Sequence, residues 1–394
     1  MAEFDPAPVD ALLREAVAGG AHVGGVAIAA DAEGVLYESP FGTLAADGPA
    51  VEASTPFRIA SMTKALTSTG ALQLVERGAL DLDAPVASIV PAFGELRVLE
   101  GFDGDTPRLR PPASAATVRQ LLNHTAGFGY SFLNEKLARY HELTGTPEAL
   151  AFDPSLLTVP LVNDPGTVWE YGTSTDWVGR VIEEVSGQRL DAFLAESLFG
   201  PLGMTATTFV VDEATAARLP PLHSRMPDGT LQPNGLDVPR DPGLISGGGG
   251  AYSTAGDYAR FMRALLRGGE LDGVRVLEPA TAELLFTPSL DGIATPEAIR
   301  SANPLLSNDV AFLPLPQDWG LGLHLLLVDV PGMRRAGTGD WAGLTNCYYW
   351  IDRASGVCGA VLAQAFPFFD QGIVGTALGF EGAVYAQVGE RAAA

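Results

Sequence analysis

Apolar positions change their spacing along this chain, and each change predicts a different kind of element. Val9 to Ala18 carries them at helical spacing and reads as a short amphipathic helix. Val23 to Ala30 and Gly34 to Ser39 are strand-like runs, and Asp31-Ala32-Glu33 between them predicts a turn. After Ser61-Met62-Thr63-Lys64, the residues Leu66, Leu72, Leu74 and Val75 give a mostly apolar stretch of helix length, with Arg77-Gly78 as its stop signal. From Asp81 to about Leu290 the pattern breaks into short helices divided by Pro- and Gly-rich loops. The clearest are Ala116 to His124, Thr175 to Ser186, Leu190 to Leu198, Ala255 to Leu266 and Pro279 to Phe286. Residues 292 to 317 read as a long loop, suited to a flexible flap. Strand character returns over Leu321 to Val330, Met333 to Ala336, Leu344 to Asp352 and Val357 to Gln364, and a helix from about Gln371 to Val388 closes the chain. Strands at both ends with a helical middle imply one lobe built from the two termini around an inserted helical lobe.

Composition narrows the choice. At 394 residues the chain exceeds one typical core, in keeping with two lobes. A formal net charge of −23 repels nucleic acid and anionic membrane and fits a protein handling small neutral or cationic molecules. No stretch is long and apolar enough to span a bilayer. The start, Met1-Ala2-Glu3-Phe4-Asp5-Pro6, has neither a basic nor an apolar leader region, so a cytoplasmic location is expected. The two cysteines, Cys347 and Cys358, read as reduced thiols packed as small hydrophobes, and the five histidines are scattered without ligand spacing. Neither a metal nor a cofactor is expected.

The candidate chemistry starts at Ser61 and Lys64. Three residues apart on a helix, their side chains share a face, and a serine in the first turn sits near the positive end of the helix dipole. That suits a serine nucleophile whose proton passes to a neutral lysine, and burial can lower a lysine pKa enough for the role. Ser-x-x-Lys alone is weak, because serines cap helices and lysines decorate them everywhere. Its place at the start of a helix too apolar to be exposed strengthens it. Tyr171, in the loop Trp169-Glu170-Tyr171-Gly172-Thr173-Ser174, can present a phenol to a cleft as a proton shuttle, and Asp176 reads as a first-turn acid of the next helix. The glycine run Ser246 to Ser253 lacks the Lys-Ser/Thr of a phosphate loop and instead lets the backbone pass close beneath a cleft. Gly337 to Leu344 joins two expected strands and can aim a backbone N–H at a substrate carbonyl, which with the Ser61 N–H makes an oxyanion hole. No Gly-x-Ser-x-Gly elbow occurs, so the serine needs a base other than histidine.

In this order the segments resemble the serine β-lactamase and penicillin-binding-protein superfamily, and most of all its class C-like esterases, the family VIII carboxylesterases. Ser61-Met62-Thr63-Lys64 matches the nucleophile motif, Leu121 to Phe128 the L-L-x-H-T-x-G segment near the cleft, Tyr171 the catalytic tyrosine, and Pro201-Leu202-Gly203-Met204 a structural marker. Trp341-Ala342-Gly343 looks like the W-G-G form that these esterases carry where β-lactamases have K-T-G. The resemblance implies an α+β fold. Residues 1–82 and 291–394 would form a lobe with an antiparallel sheet flanked by helices, residues 83–290 a mainly helical lobe, and the active site would lie between them. It implies Ser61, Lys64 and Tyr171 as catalytic residues, the amides of Ser61 and Leu344 as oxyanion hole, and Phe128, Trp341, Ala342 and Gly343 as substrate contacts. Two departures matter. Tyr171-Gly172-Thr173 lacks the asparagine of Y-x-N, and Trp341 replaces the lysine of K-T-G, removing a cation that holds a β-lactam carboxylate. Both weaken recognition of penicillins and peptidoglycan peptides, and the apolar Trp favours a neutral small-molecule ester; the resemblance implies a short acyl chain. β-Lactamase or D-amino-acid peptidase action, acyl transfer to another alcohol, and a penicillin-recognising fold used only for binding stand as alternatives. The oligomeric state is open.

Overall fold

The computed structural model describes residues 4–236 and 238–393; Met1 to Glu3, part of the stretch read for a leader, lie outside them. Seven antiparallel strands form the main sheet. They are β1 (Gly24–Asp31), β2 (Val35–Gly42), β3 (Gln317–Trp319), β4 (His324–Leu326), β5 (Gly339–Gly343), β6 (Cys347–Asp352) and β7 (Val357–Leu362). Their spatial order is β3-β4-β5-β6-β7-β1-β2, so the two terminal regions meet where β1 pairs with β7, Val26 opposite Leu362 and Ala30 opposite Cys358.

Both faces of this sheet are covered, which explains the nearly unbroken apolar run of β1. Val26, Ile28 and Ala30 join the large core on one side, while Ala27 and Ala29 join a second core on the other. The second core is closed by two helices, α1 (Ala7–Ala18) and the C-terminal helix, which spans Gln371–Ala393. On the first side lie α2 (Thr63–Glu76), α3 (Ser174–Ser186) and α4 (Ala255–Leu266); the C-terminal helix is α5.

α2 is buried on every side from Thr63 to Leu74, and several of its polar groups find partners inside the protein. Thr67 Oγ1 donates to Gly247 O at 2.8 Å, and Gln73 Nε2 donates to Ser197 O and Val276 O. Gly70 makes room for Leu194, whose Cδ2 would stand 2.6 Å from any Cβ there. The helix ends at Glu76, and Gly78 takes the left-handed conformation (φ +70°) that the Arg77-Gly78 signal requires.

The structure departs from the sequence expectations at several places. Met333 to Ala336 forms no strand; it follows the Pro331-Gly332 turn, and Arg334 is drawn into ion pairs with Asp340 and Glu381. The Leu321 to Val330 run is shorter than expected, because Gly320 to Gly322 turns the chain between β3 and β4. Residues 292–317 contain a small ladder, Ala298–Ile299 against Val310–Ala311. The hairpin of Val98–Asp103 and Thr106–Arg110 and the helix Glu135–Thr144 are not among the expected elements. Between the two expected lobes, α4 lies on β1 and β7, and α2 packs on α3.

Candidate active site

Ser61 sits on a single tight turn, Ala60–Met62, that runs directly into α2. Ala60 has φ +44°, a conformation a non-glycine residue adopts only when its surroundings impose it. Those surroundings are specific. Thr63 Oγ1 donates to Ala60 O at 2.6 Å and accepts from Ala251 N at 3.1 Å, while Tyr258 Oη donates to Met62 O at 3.0 Å. The glycine run and α4 therefore hold the turn that presents the half-buried Ser61 hydroxyl.

Lys64 is 2% exposed, and its Nζ has three oxygen partners: Ser61 Oγ at 3.1 Å, Tyr130 Oη at 3.0 Å and Gly248 O at 2.7 Å. Three acceptors satisfy an ammonium completely. As a neutral amine, Nζ donates to Tyr130 and Gly248 and turns its lone pair to the Ser61 hydroxyl. Gly248 is fixed from the far side by Asp176, whose Oδ1 accepts from Ser246 Oγ at 2.5 Å and from Gly248 N at 3.1 Å. A Cβ on Gly248 would stand 2.6 Å from Asp176 Oδ2, so only glycine brings this carbonyl to Lys64. Burial pushes the Asp176 carboxyl above its usual range, an effect partly opposed by the Lys64 charge and by these two hydrogen bonds. Burial, followed by the charges of Asp176 and Tyr171, pushes the Tyr130 phenol well above the ordinary value, so Tyr130 remains a neutral hydroxyl.

Tyr171 enters from the loop before α3, seated by Gly172, where any side chain would overlap the backbone of Phe128 and Gly129. Its ring faces Lys64, with Nζ 4.7 Å from the ring centroid, and its Oη accepts a 2.9 Å hydrogen bond from Trp341 Nε1. Trp341 and His124 both pack at 4.9 Å from the Tyr171 ring. His124 is fully buried, which holds its imidazole well below its usual pKa, with the Lys64 charge acting in the same direction; the ring is neutral and serves as packing.

β5 runs past the Ser61 turn at the closest possible range. A Cβ on Gly343 would overlap Ile59 O and lie 3.4 Å from Ala60 Cβ. This brings the strand end, and Leu344 just beyond it, to the Ser61 turn. A cavity of about 440 Å³ is lined by Ser61, Tyr171, Trp341, Ala342 and Leu344 together. Gly343 stands behind that wall and sets its position. Phe128, expected as a substrate contact, is not on the wall: it is 1% exposed and packs edge-on against Phe93 at 5.8 Å in the large core. Its backbone, not its ring, serves the site. The sequence reading missed Tyr130 and the tie between Asp176 and Gly248. Tyr130 lies two residues beyond the recognised Leu121–Phe128 segment, and Asp176 reads equally well as a first-turn acid.

The fold and this serine–lysine site define the serine β-lactamase and penicillin-binding-protein class. The profile of the family described as Beta-lactamase matches residues 9–381, and the chain belongs to that family. Among its relatives is a monacolin J acid methylbutanoyltransferase of Aspergillus terreus, 34% identical over 96% of this chain and 95% of the other. A lovastatin esterase of Penicillium rubens is 33% identical over 91% and 92%. A solved structure of a simvastatin synthase (LovD) mutant from Aspergillus terreus superposes with a TM-score of 0.84 at 32% identity, covering 97% of this chain and 95% of that one. EstCE1, described as a hydrolase with promiscuous acyltransferase activity, shares the fold at a TM-score of 0.74 and 22% identity, covering 96% and 98%. No helix among the described residues is long and apolar enough to cross a membrane.

Proposed function

We propose that this protein is a serine enzyme that cleaves small carboxylic esters through an acyl-enzyme on Ser61 and passes the acyl group to water or to a second alcohol. The observation that carries the reading is the 3.1 Å contact between Ser61 Oγ and Lys64 Nζ inside a buried, fully partnered lysine site. In this scheme Ser61 Oγ attacks the ester carbonyl carbon as its proton passes to neutral Lys64. The carbonyl oxygen becomes an oxyanion and takes the N–H groups of Ser61 and Leu344. The carbon–oxygen bond to the alcohol then breaks, and the departing alkoxide takes the Tyr171 phenolic proton, which Lys64 replaces. The Trp341 indole N–H donates to the Tyr171 oxygen at 2.9 Å and favours it while it is deprotonated. Water or an alcohol enters along the same path in reverse and releases the acyl group.

Acyl transfer is kept beside hydrolysis because relatives at 33–34% identity are named for both activities. Amide and β-lactam substrates are disfavoured by Trp341 and Thr173, which stand where the superfamily carries a cation and an amide. The test is turnover of p-nitrophenyl butyrate by wild type and Ser61→Ala, with and without an added primary alcohol, beside a chromogenic cephalosporin. The expected result is Ser61-dependent ester cleavage, partition to a new ester when alcohol is present, and little cephalosporin turnover. Full activity in Ser61→Ala would refute the assignment.

A further inference from the structure

The cavity beside Ser61 continues past the end of β5 onto the opposite face of the sheet. In the β5–β6 register Ala342 stands opposite Tyr348 and Asp340 opposite Trp350, whereas Trp341 stands opposite Tyr349. Successive residues alternate faces, so Ala342, Tyr348 and Trp350 share one face and Trp341 the other. Trp350 packs edge-on against Phe380 of α5 at 5.9 Å, which identifies the Ala342 face as the one α5 covers. The cavity that contains Ser61 is lined there by Ala342, Tyr348 and Val361 from the sheet and by Val374, Ala377 and Leu378 from α5. Val310 and Leu313 of the 292–317 segment line it as well.

The walls of this inner part carry these apolar side chains beside the ionised groups of Arg334, Asp340 and Glu381, which also line it and are bound to one another. Arg334 donates to Asp340 and to both oxygens of Glu381, and Asp340 Oδ1 pairs with His324 Nδ1 at 2.8 Å. Such a compartment, its ionised groups already paired, offers a hydrocarbon chain a largely apolar surface.

We propose that this compartment holds the acyl chain of the ester, an aliphatic chain of medium length. The proposal rests on the acyl-enzyme reading of Ser61 and extends the short-chain expectation. Tyr171 protonates the departing alkoxide, so the alcohol half lies on the Tyr171 side of Ser61. The remaining substituent of the carbonyl carbon points the other way, past Leu344 and Ala342, where the compartment begins. Ala342 and Ala377 both line the compartment, as does Leu378, which is 51% exposed.

The test is the series p-nitrophenyl acetate, butyrate, hexanoate and octanoate with wild type, Ala377→Phe and Leu378→Asp, none of which alters the serine, lysine or tyrosine. Each methylene that becomes buried raises kcat/KM roughly fourfold. Wild type should climb along the series. Ala377→Phe should flatten it beyond butyrate, losing tenfold or more on octanoate while acetate changes less than about twofold; retained acetate turnover reports an intact fold. Leu378→Asp, at a half-exposed position that tolerates substitution, should lower octanoate alone. A flat wild-type series, or equal effects on acetate and octanoate in both variants, would overturn the compartment while leaving the Ser61 reading intact. Absence of any Ser61-dependent ester turnover would overturn both.

Discussion

Replacing Gly343 by alanine tests whether β5 sets the proposed oxyanion site. The new methyl would stand 3.1 Å from Ile59 C and 3.4 Å from Ala60 Cβ, and would overlap Ile59 O outright. Ordinary carbon contacts need about 3.5 Å or more, so β5 and the Ser61 turn must separate by something on the order of 1 Å. The turn cannot yield easily, because Thr63, Ala251 and Tyr258 clamp it. Overpacking of this kind costs about 1–3 kcal/mol of stability, which the fold should survive. Activity should suffer more. A misplacement near 1 Å costs roughly 100-fold, and loss of one oxyanion donor about 100- to 1,000-fold in kcat. Gly343→Ala should therefore lose at least about 100-fold in kcat on p-nitrophenyl butyrate, with KM changed little and a cooperative thermal transition a few degrees lower. A folded Gly343→Ala enzyme within threefold of wild-type kcat would show that the Leu344 amide does not depend on this contact, and the oxyanion assignment would fall.

Two other outcomes follow from single observations. Trp341→Phe keeps an aromatic ring against Tyr171 but removes the 2.9 Å hydrogen bond to its oxygen; a hydrogen bond to a charged group is worth about 1.5–3 kcal/mol, so kcat should drop roughly 10- to 100-fold, and undiminished kcat would remove the indole from the mechanism. His22 is 3% exposed with neither ring nitrogen partnered among the described residues, and burial lowers its pKa to about 4, with Asp370 opposing and Arg225 assisting. The folded value lies below the unfolded one, so this stability is present above about pH 6.5 and is lost as pH falls toward 4. Between pH 7 and pH 5 wild type should lose about 2 kcal/mol more than His22→Gln in urea unfolding, and parallel losses would mean that His22 accepts its proton in the folded state.

What could be read from the sequence was whatever a local pattern enforces. α4 begins and ends where its apolar spacing does, Ala255–Leu266, because that stripe packs on β1 and β7. β1 and β2 were visible as apolar runs around a turn because both faces of β1 are buried. Met333 to Ala336 misled because its side chains answer to distant partners: Arg334 is held by Glu381, 47 positions away in the chain. Phe128 misled in the opposite sense. A motif places its backbone beside the site, but motif position does not say which way a ring points, and this ring points into the Phe93 and Trp177 cluster. Tyr130 was invisible because its importance is a single distance to Lys64, fixed by how two separate segments pack.

The exchange at position 341 is best understood through the charge it removes. A lysine there would place a second cation close to Tyr171, whose ring already faces Lys64 at 4.7 Å. An ammonium at that position would suit an anionic substrate. With tryptophan, the Tyr171 oxygen keeps a donor, but a neutral one. Lys64 keeps its bond to Gly248, which Asp176 holds in place, and the mouth beside Ser61 is lined by Trp341, Ala342 and Leu344 instead of an ammonium. On the proposed reading, one substitution thus preserves the proton path while withdrawing the counter-ion for a carboxylate. It moves preference toward uncharged esters without disturbing the nucleophile. If Trp341→Lys were to raise cephalosporin turnover and lower ester turnover in the same preparation, that division of roles would be demonstrated; equal changes on both substrates would refute it.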